Sequence, residues 1–109
     1  KIILVTDNVT CYPMPNSIRT KRGFELKGTG KLAGSVLTMN KAVQNAVEFG
    51  KIRLEQAIRM ASVNPARVLG IEKRKGSIGI GKDADVVIFD EKYQAQETII
   101  KGEIVYCRK

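Results

Sequence analysis

The chain has 109 residues, 43% of them hydrophobic and 28% charged, which is enough for one compact domain with one modest core and excludes disordered, collagen-like and disulfide-scaffold classes. No apolar run approaches the roughly 20 residues of a membrane-spanning helix, and residues 1–7 are too short and too quickly acidic for a signal peptide, so a cytoplasmic protein with no membrane partner is expected. The net charge of +8 raises nucleic acid as a partner, but the densest cluster, Lys73, Arg74 and Lys75, is flanked by Glu72, Asp83 and Asp85, and three Tyr, three Phe and no Trp leave little for base stacking. No nucleic-acid partner is expected.

Taken in chain order, residues 2–6 form a continuous apolar, β-branched run ended by Asp7, the pattern of a strand buried on both faces in a parallel sheet. No strand pattern follows at once to pair with it, so its neighbours are expected upstream of Lys1. Residues 8–30 carry Pro13, Pro15, Asn16, Gly23, Gly28 and Gly30, the punctuation of a loop with at most one short strand at 24–27.

Helical spacing begins after Gly34. Leu37, Val43, Ala46 and Val47 form an apolar stripe with Ser35 or Thr38 as N-cap and Gly50 as stop. A second helix is predicted over 54–62, burying Leu54, Ala57, Ile58 and Ala61. Asn64 then caps a third, short helix with Pro65 at its first position and Gly70 as terminator. From Gly76 the period changes to strand: 85–90, 97–100 and 104–106, with Lys101 and Gly102 as a hairpin turn.

Cys11 and Cys107 lie almost a chain length apart with no C-x-x-C spacing, and read as free thiols. The chain contains no histidine, so the usual general base and the commonest zinc ligand are both missing. Two glycine patterns fail as nucleotide sites. Gly76 to Lys82 begins like a P-loop, but Asp83 stands where a Ser or Thr must hold magnesium, and a strand follows where a helix must start. Gly28-Thr29-Gly30-Lys31-Leu32-Ala33 mimics a dinucleotide fingerprint with no βαβ unit around it. Asp7 sits at the C-terminal end of the first predicted strand, where parallel α/β folds place active sites; a loop or helix cap is the alternative for it.

The stretch Ala61-Ser62-Val63-Asn64-Pro65-Ala66-Arg67-Val68-Leu69-Gly70, then Lys75-Gly76-Ser77-Ile78-Gly79-Ile80-Gly81-Lys82-Asp83-Ala84-Asp85 with the run to Asp90, resembles the C-terminal signature shared by amidohydrolases. Leu4-Val5-Thr6-Asp7 together with Leu32-Ala33-Gly34-Ser35-Val36-Leu37-Thr38-Met39 is similar to the N-acetylglucosamine-6-phosphate deacetylase family. The resemblance implies an α/β fold class: the C-terminal portion of a metal-dependent amidohydrolase TIM barrel over residues 1–75, plus strands of its small β-sandwich domain over residues 76–109. It implies that Asp7 is the catalytic acid/base acting on a metal-bound water, and that Leu32, Ala33 and Gly34 line the amino-sugar phosphate site. It also implies a divalent metal, zinc or iron, in the full-length parent, and a homo-oligomer. The family's metal ligands are a glutamate and histidines from earlier barrel strands, so this chain alone is expected to hold no metal and to be inactive. The alternatives are a non-enzymatic binding or interaction module derived from an amidohydrolase, and a fragment of another amidohydrolase.

Overall fold

A computed structural model describes residues 2–9 and 15–109. Its elements run β1 (Ser17–Thr20), β2 (Gly23–Leu26), β3 (Leu32–Gly34), α1 (Met39–Glu48), α2 (Leu54–Ala61), α3 (Val63–Val68), β4 (Val86–Phe89), β5 (Ala95–Ile100) and β6 (Glu103–Cys107). The strands form two separate antiparallel sheets, β1-β2-β3 and β4-β5-β6, with the three helices between them in sequence.

The first sheet lies where a loop with at most one short strand at 24–27 is expected; β2 answers to that strand, and β1 and β3 are additional. Its strands are three or four residues long, too short for a period-2 pattern to show in the sequence. Phe24 gives it an anchor at 3% exposure. In the pairing of β2 with β3, Phe24 faces Gly34 and Glu25 faces Leu32, which leaves Ala33 as the extra residue of a bulge. The turn between them takes Gly28 and Gly30 at positive φ, so the dinucleotide-like glycines are hairpin residues.

The helices follow the predicted stripes with corrections. Ala42, Val43, Ala57, Met60 and Ala66 are buried, so the core is built mostly from small side chains at the α1–α2 and α2–α3 contacts. Leu54 and Ile58, expected in that core, are 44% and 41% exposed, because Ala57 and Met60 fill the face of α2 that meets its neighbours. Thr38 occupies the N-cap of α1 without a side-chain cap bond. Gly50 does not supply the left-handed residue that ends this helix; Lys51 does. Asn64 is not a cap either. Helix α3 starts two residues earlier with Ser62 at its N-cap, and the Asn64 amide donates instead to the carbonyl of Ile2 at 2.7 Å.

The second sheet matches expectation. Val86 pairs with Ile99 and Thr98 with Tyr106, and Lys101 and Gly102 both take positive φ, as a two-residue type I′ hairpin requires. Asn40 of α1 reaches the carbonyl of Tyr93 at 2.8 Å, tying this sheet to the helices. Between them lies an apolar cleft of about 340 Å³, walled by Val43 and Ile58 on one side and Val87 and Phe89 on the other.

Residues 2–6 do not form a strand. Leu4 N–H donates to the carbonyl of Met60 at 3.0 Å, but no strand flanks the segment among the described residues, and Ile2 and Val5 stand 63% and 76% exposed. Burial on both faces needs a strand on either side, and the described residues place none there. The whole chain shares this openness. Its accessible surface is 8284 Å², against roughly 6,000 Å² for a compact monomer of this mass. Its radius of gyration is 16.0 Å, against about 13 Å for a compact domain of this length. No helix among the described residues is long and apolar enough to cross a membrane.

Candidate functional site

Asp7 sits in the left-handed region, at φ 49°, a conformation that costs free energy in any residue but glycine and that Asp tolerates better than most. The segment around it is laced to the end of β3. Ser35 N–H donates to the Asp7 carbonyl at 2.8 Å and Val9 N–H donates to the Ser35 carbonyl at 3.2 Å, forming an isolated parallel bridge between Asn8 and Ser35. The Ser35 hydroxyl donates to the Thr6 carbonyl and accepts from Leu37 N–H at 3.1 Å. The Asn8 amide closes the lacing with a 2.7 Å bond to the Leu37 carbonyl.

The Asp7 side chain is exposed, and its carboxylate makes no hydrogen bond or ion pair among the described residues; the bonds at this residue run through its backbone. A capping role would require that carboxylate to accept from a nearby N–H. The three residues expected beside it differ in placement. Gly34 is buried against the 7–9 segment: a Cβ there would overlap Val9 Cγ2 and stand 3.4 Å from the Asp7 carbonyl oxygen. Ala33 is the bulge, and Leu32 lies at the far end of β3, 55% exposed. Ser35, Asn8 and Thr6 were missed by sequence reasoning. Ser35 stood out as a candidate helix cap, and the carbonyl its hydroxyl donates to lies 29 positions away.

Two members of the basic cluster, Arg74 and Lys75, and the Lys82 ammonium of the P-loop-like turn are satisfied internally. Arg74 reaches Asp83 at 3.2 Å and Lys75 reaches Asp83 at 2.9 Å and Asp85 as well. Lys82 donates to the Glu72 carbonyl and, at 2.8 Å, to the Ser77 hydroxyl, so its ammonium is directed at its own loop. Cys107 is free and exposed; Cys11 lies outside the described residues. No three His, Cys, Asp or Glu side chains among the described residues come together as a metal-ligand set, and with no histidine in the sequence the residues present do not by themselves fit zinc or iron.

Asp7 thus presents one exposed carboxylate beside the Gly34-Ser35 end of the first antiparallel sheet. Residues 1–105 match the Amidohydrolase family, and the chain belongs to that family. It is 34% identical over 96% of its length to N-acetylglucosamine-6-phosphate deacetylase of Bos taurus, covering 28% of that protein. It is 37% identical over 95% of its length to N-acetylgalactosamine-6-phosphate deacetylase of Escherichia coli O157:H7, covering 30%. The crystal structure of N-acetylglucosamine-6-phosphate deacetylase from Thermotoga maritima matches 98% of this chain with a TM-score of 0.83 at 28% identity, and the chain covers 31% of it. The chain thus spans about 30% of the length of these relatives.

Proposed function

We propose that this chain is the C-terminal part of an enzyme that deacetylates N-acetylglucosamine 6-phosphate to glucosamine 6-phosphate and acetate. The observation that carries the reading is the placement of Asp7, an exposed, unengaged carboxylate held in a left-handed turn by the Gly34-Ser35 end of β3. The relatives named above support the substrate class.

In this reading, residues 1–75 complete a TIM barrel and residues 76–109 add strands to a small β-sandwich domain. The unmet burial of residues 2–6 and the excess surface are what such a part would have before its surroundings are added. Asp7 accepts the proton released as water adds to the acetamide carbonyl carbon. It returns that proton to the amine nitrogen as the C–N bond breaks, so the carboxylate ends as it began. Leu32, Ala33 and Gly34 border the sugar phosphate, Leu32 by its exposed side chain and the bulge at Ala33 by its backbone. The divalent metal, zinc or iron, belongs to the whole enzyme, whose remaining residues would hold it. The whole enzyme is cytoplasmic and homo-oligomeric in this account.

The test is acetate release by the whole protein from N-acetylglucosamine 6-phosphate, with the galactosamine epimer and unphosphorylated N-acetylglucosamine beside it. Preferred turnover of the glucosamine phosphate is expected. Turnover of the galactosamine epimer instead would move the substrate to that sugar, and turnover of neither phosphate would overturn the reading.

A further inference from the structure

The two peptide planes that flank the Asp7 α-carbon are both fastened by one residue. The Ser35 hydroxyl holds the Thr6 carbonyl, in the plane before Asp7. The Ser35 backbone N–H holds the Asp7 carbonyl, in the plane after it. Those planes set φ and ψ of Asp7, and with them the direction of its Cα–Cβ bond and the reach of its carboxylate. The conformation so fixed is the left-handed one, φ 49°, which persists only where surrounding contacts over-determine it. The hydroxyl is itself held in place, since Leu37 N–H donates to it at 3.1 Å while Asn8 grips the Leu37 carbonyl at 2.7 Å.

We infer that Ser35 is the positioning residue for the Asp7 carboxylate, acting through its hydroxyl on the Thr6 carbonyl, with Asn8 and Leu37 holding that hydroxyl in register. The inference rests on the reading of Asp7 as the proton carrier. Without the hydroxyl the 6–7 peptide plane is free to turn, and Asp7 relaxes toward negative φ. The carboxylate then swings away from the reacting atoms, while the substrate's other contacts stay as they were. A displacement on the order of 1 Å can lower a rate by ~10²-fold, so the effect falls on kcat and leaves KM nearly unchanged.

The experiment is a double-mutant cycle in the full-length enzyme, with kcat, KM and melting temperature measured for wild type, Ser35→Ala, Asp7→Asn and the double variant. The expected result is a kcat lower by ~10-fold or more in Ser35→Ala with KM within about twofold. Ser35→Thr, which keeps the hydroxyl, should restore most of the rate. In the Asp7→Asn background the Ser35→Ala change should cost little further, because the group it positions no longer carries a proton. Normal turnover in Ser35→Ala, or an equal loss in both backgrounds, overturns the positioning role while leaving Asp7 as the proton carrier. Near-normal turnover in Asp7→Asn alone overturns the reading beneath it. Should Ser35→Ala fail to fold, Ser35→Cys, of similar size with a weak S–H donor, takes the same test, and unchanged kcat there counts against the inference.

Discussion

Gly34 packs against Val9 so closely that a Cβ on the glycine would overlap Val9 Cγ2. The close approach lets the end of β3 bond to the 7–9 segment, with Ser35 N–H 2.8 Å from the Asp7 carbonyl. Val9 is branched at Cβ and cannot rotate out of the way without leaving its rotamer. The variant Gly34→Ala should therefore lose about 1–3 kcal/mol of stability, the usual scale of overpacking. Thermal melts of wild type and variant measure it; equal melting temperatures would show that the segment yields freely.

Lys75 clasps Asp83 and Asp85 together, and Asp85 also accepts from Lys101 N–H at 2.9 Å in the β5–β6 turn. The bond from Lys75, then that from Lys101, holds the Asp85 carboxyl below its ordinary value. Hydrogen bonds to Asp85 and then Asp83 raise the Lys75 ammonium. A depressed carboxyl pKa adds stability that is present above the unfolded value, about 3.9, and lost as pH falls through the lower folded one; a raised ammonium pKa adds stability that is lost only as pH rises past about 10.4. The clasp is thus intact across neutral pH. In Lys75→Met, urea midpoints measured against pH should be lower near neutrality and should fall less steeply below pH ~4. An unchanged acid limb would mean that the clasp contributes nothing, as many exposed pairs do.

The isolated 109-residue chain should associate with itself. Residues Ile78 and Ile80 are 86% and 109% exposed, β6 shows Ile104, Val105 and Tyr106 to solvent, and its outer edge is unpaired in the sheet order. Open edges and large apolar patches find partners. Light scattering should show species larger than the monomer, increasing with concentration; a strictly monomeric chain at high concentration would contradict this.

The same isolated chain should release no acetate from N-acetylglucosamine 6-phosphate and should bind no stoichiometric zinc. A catalytic zinc site needs about three protein ligands, and the described residues gather no such set. Equilibrium dialysis against zinc and a coupled acetate assay check both halves. Tight one-to-one metal binding with turnover would show a ligand set that the fold described here does not contain.

The helices and the second sheet were readable because their signals are long or local: apolar residues at helical spacing through Val43 and Ala57, and a two-residue turn at Lys101 and Gly102. Of the sheet β1-β2-β3 only the β2 stretch was, since a four-residue run such as Ser17, Ile18, Arg19 and Thr20, with one apolar side chain, shows no period and owes its order to pairing. Residues 2–6 carry the pattern of a buried strand, and the pattern records an environment that the described residues do not supply. Asn64 looked like a cap because the sequence cannot show that Ile2, 62 positions away, competes for its amide. Asp7 and Ser35 stand 28 positions apart; only resemblance linked their segments, and nothing in the sequence marked the Ser35 hydroxyl as the tie.

In the proposed reaction Asp7 carries the proton between water and the departing amine. Replacing it by Asn keeps the shape and tests the charge alone, so the most direct measurement is kcat of the full-length Asp7→Asn enzyme, with melting temperature and metal content from the same preparation. Loss of a proton carrier leaves folding and metal content close to wild type and lowers kcat by at least ~10²-fold, the usual scale for a general acid/base group. A cap predicts the reverse, because Asn caps about as well as Asp and activity would survive. A well-folded Asp7→Asn enzyme with near-normal turnover would contradict the claim.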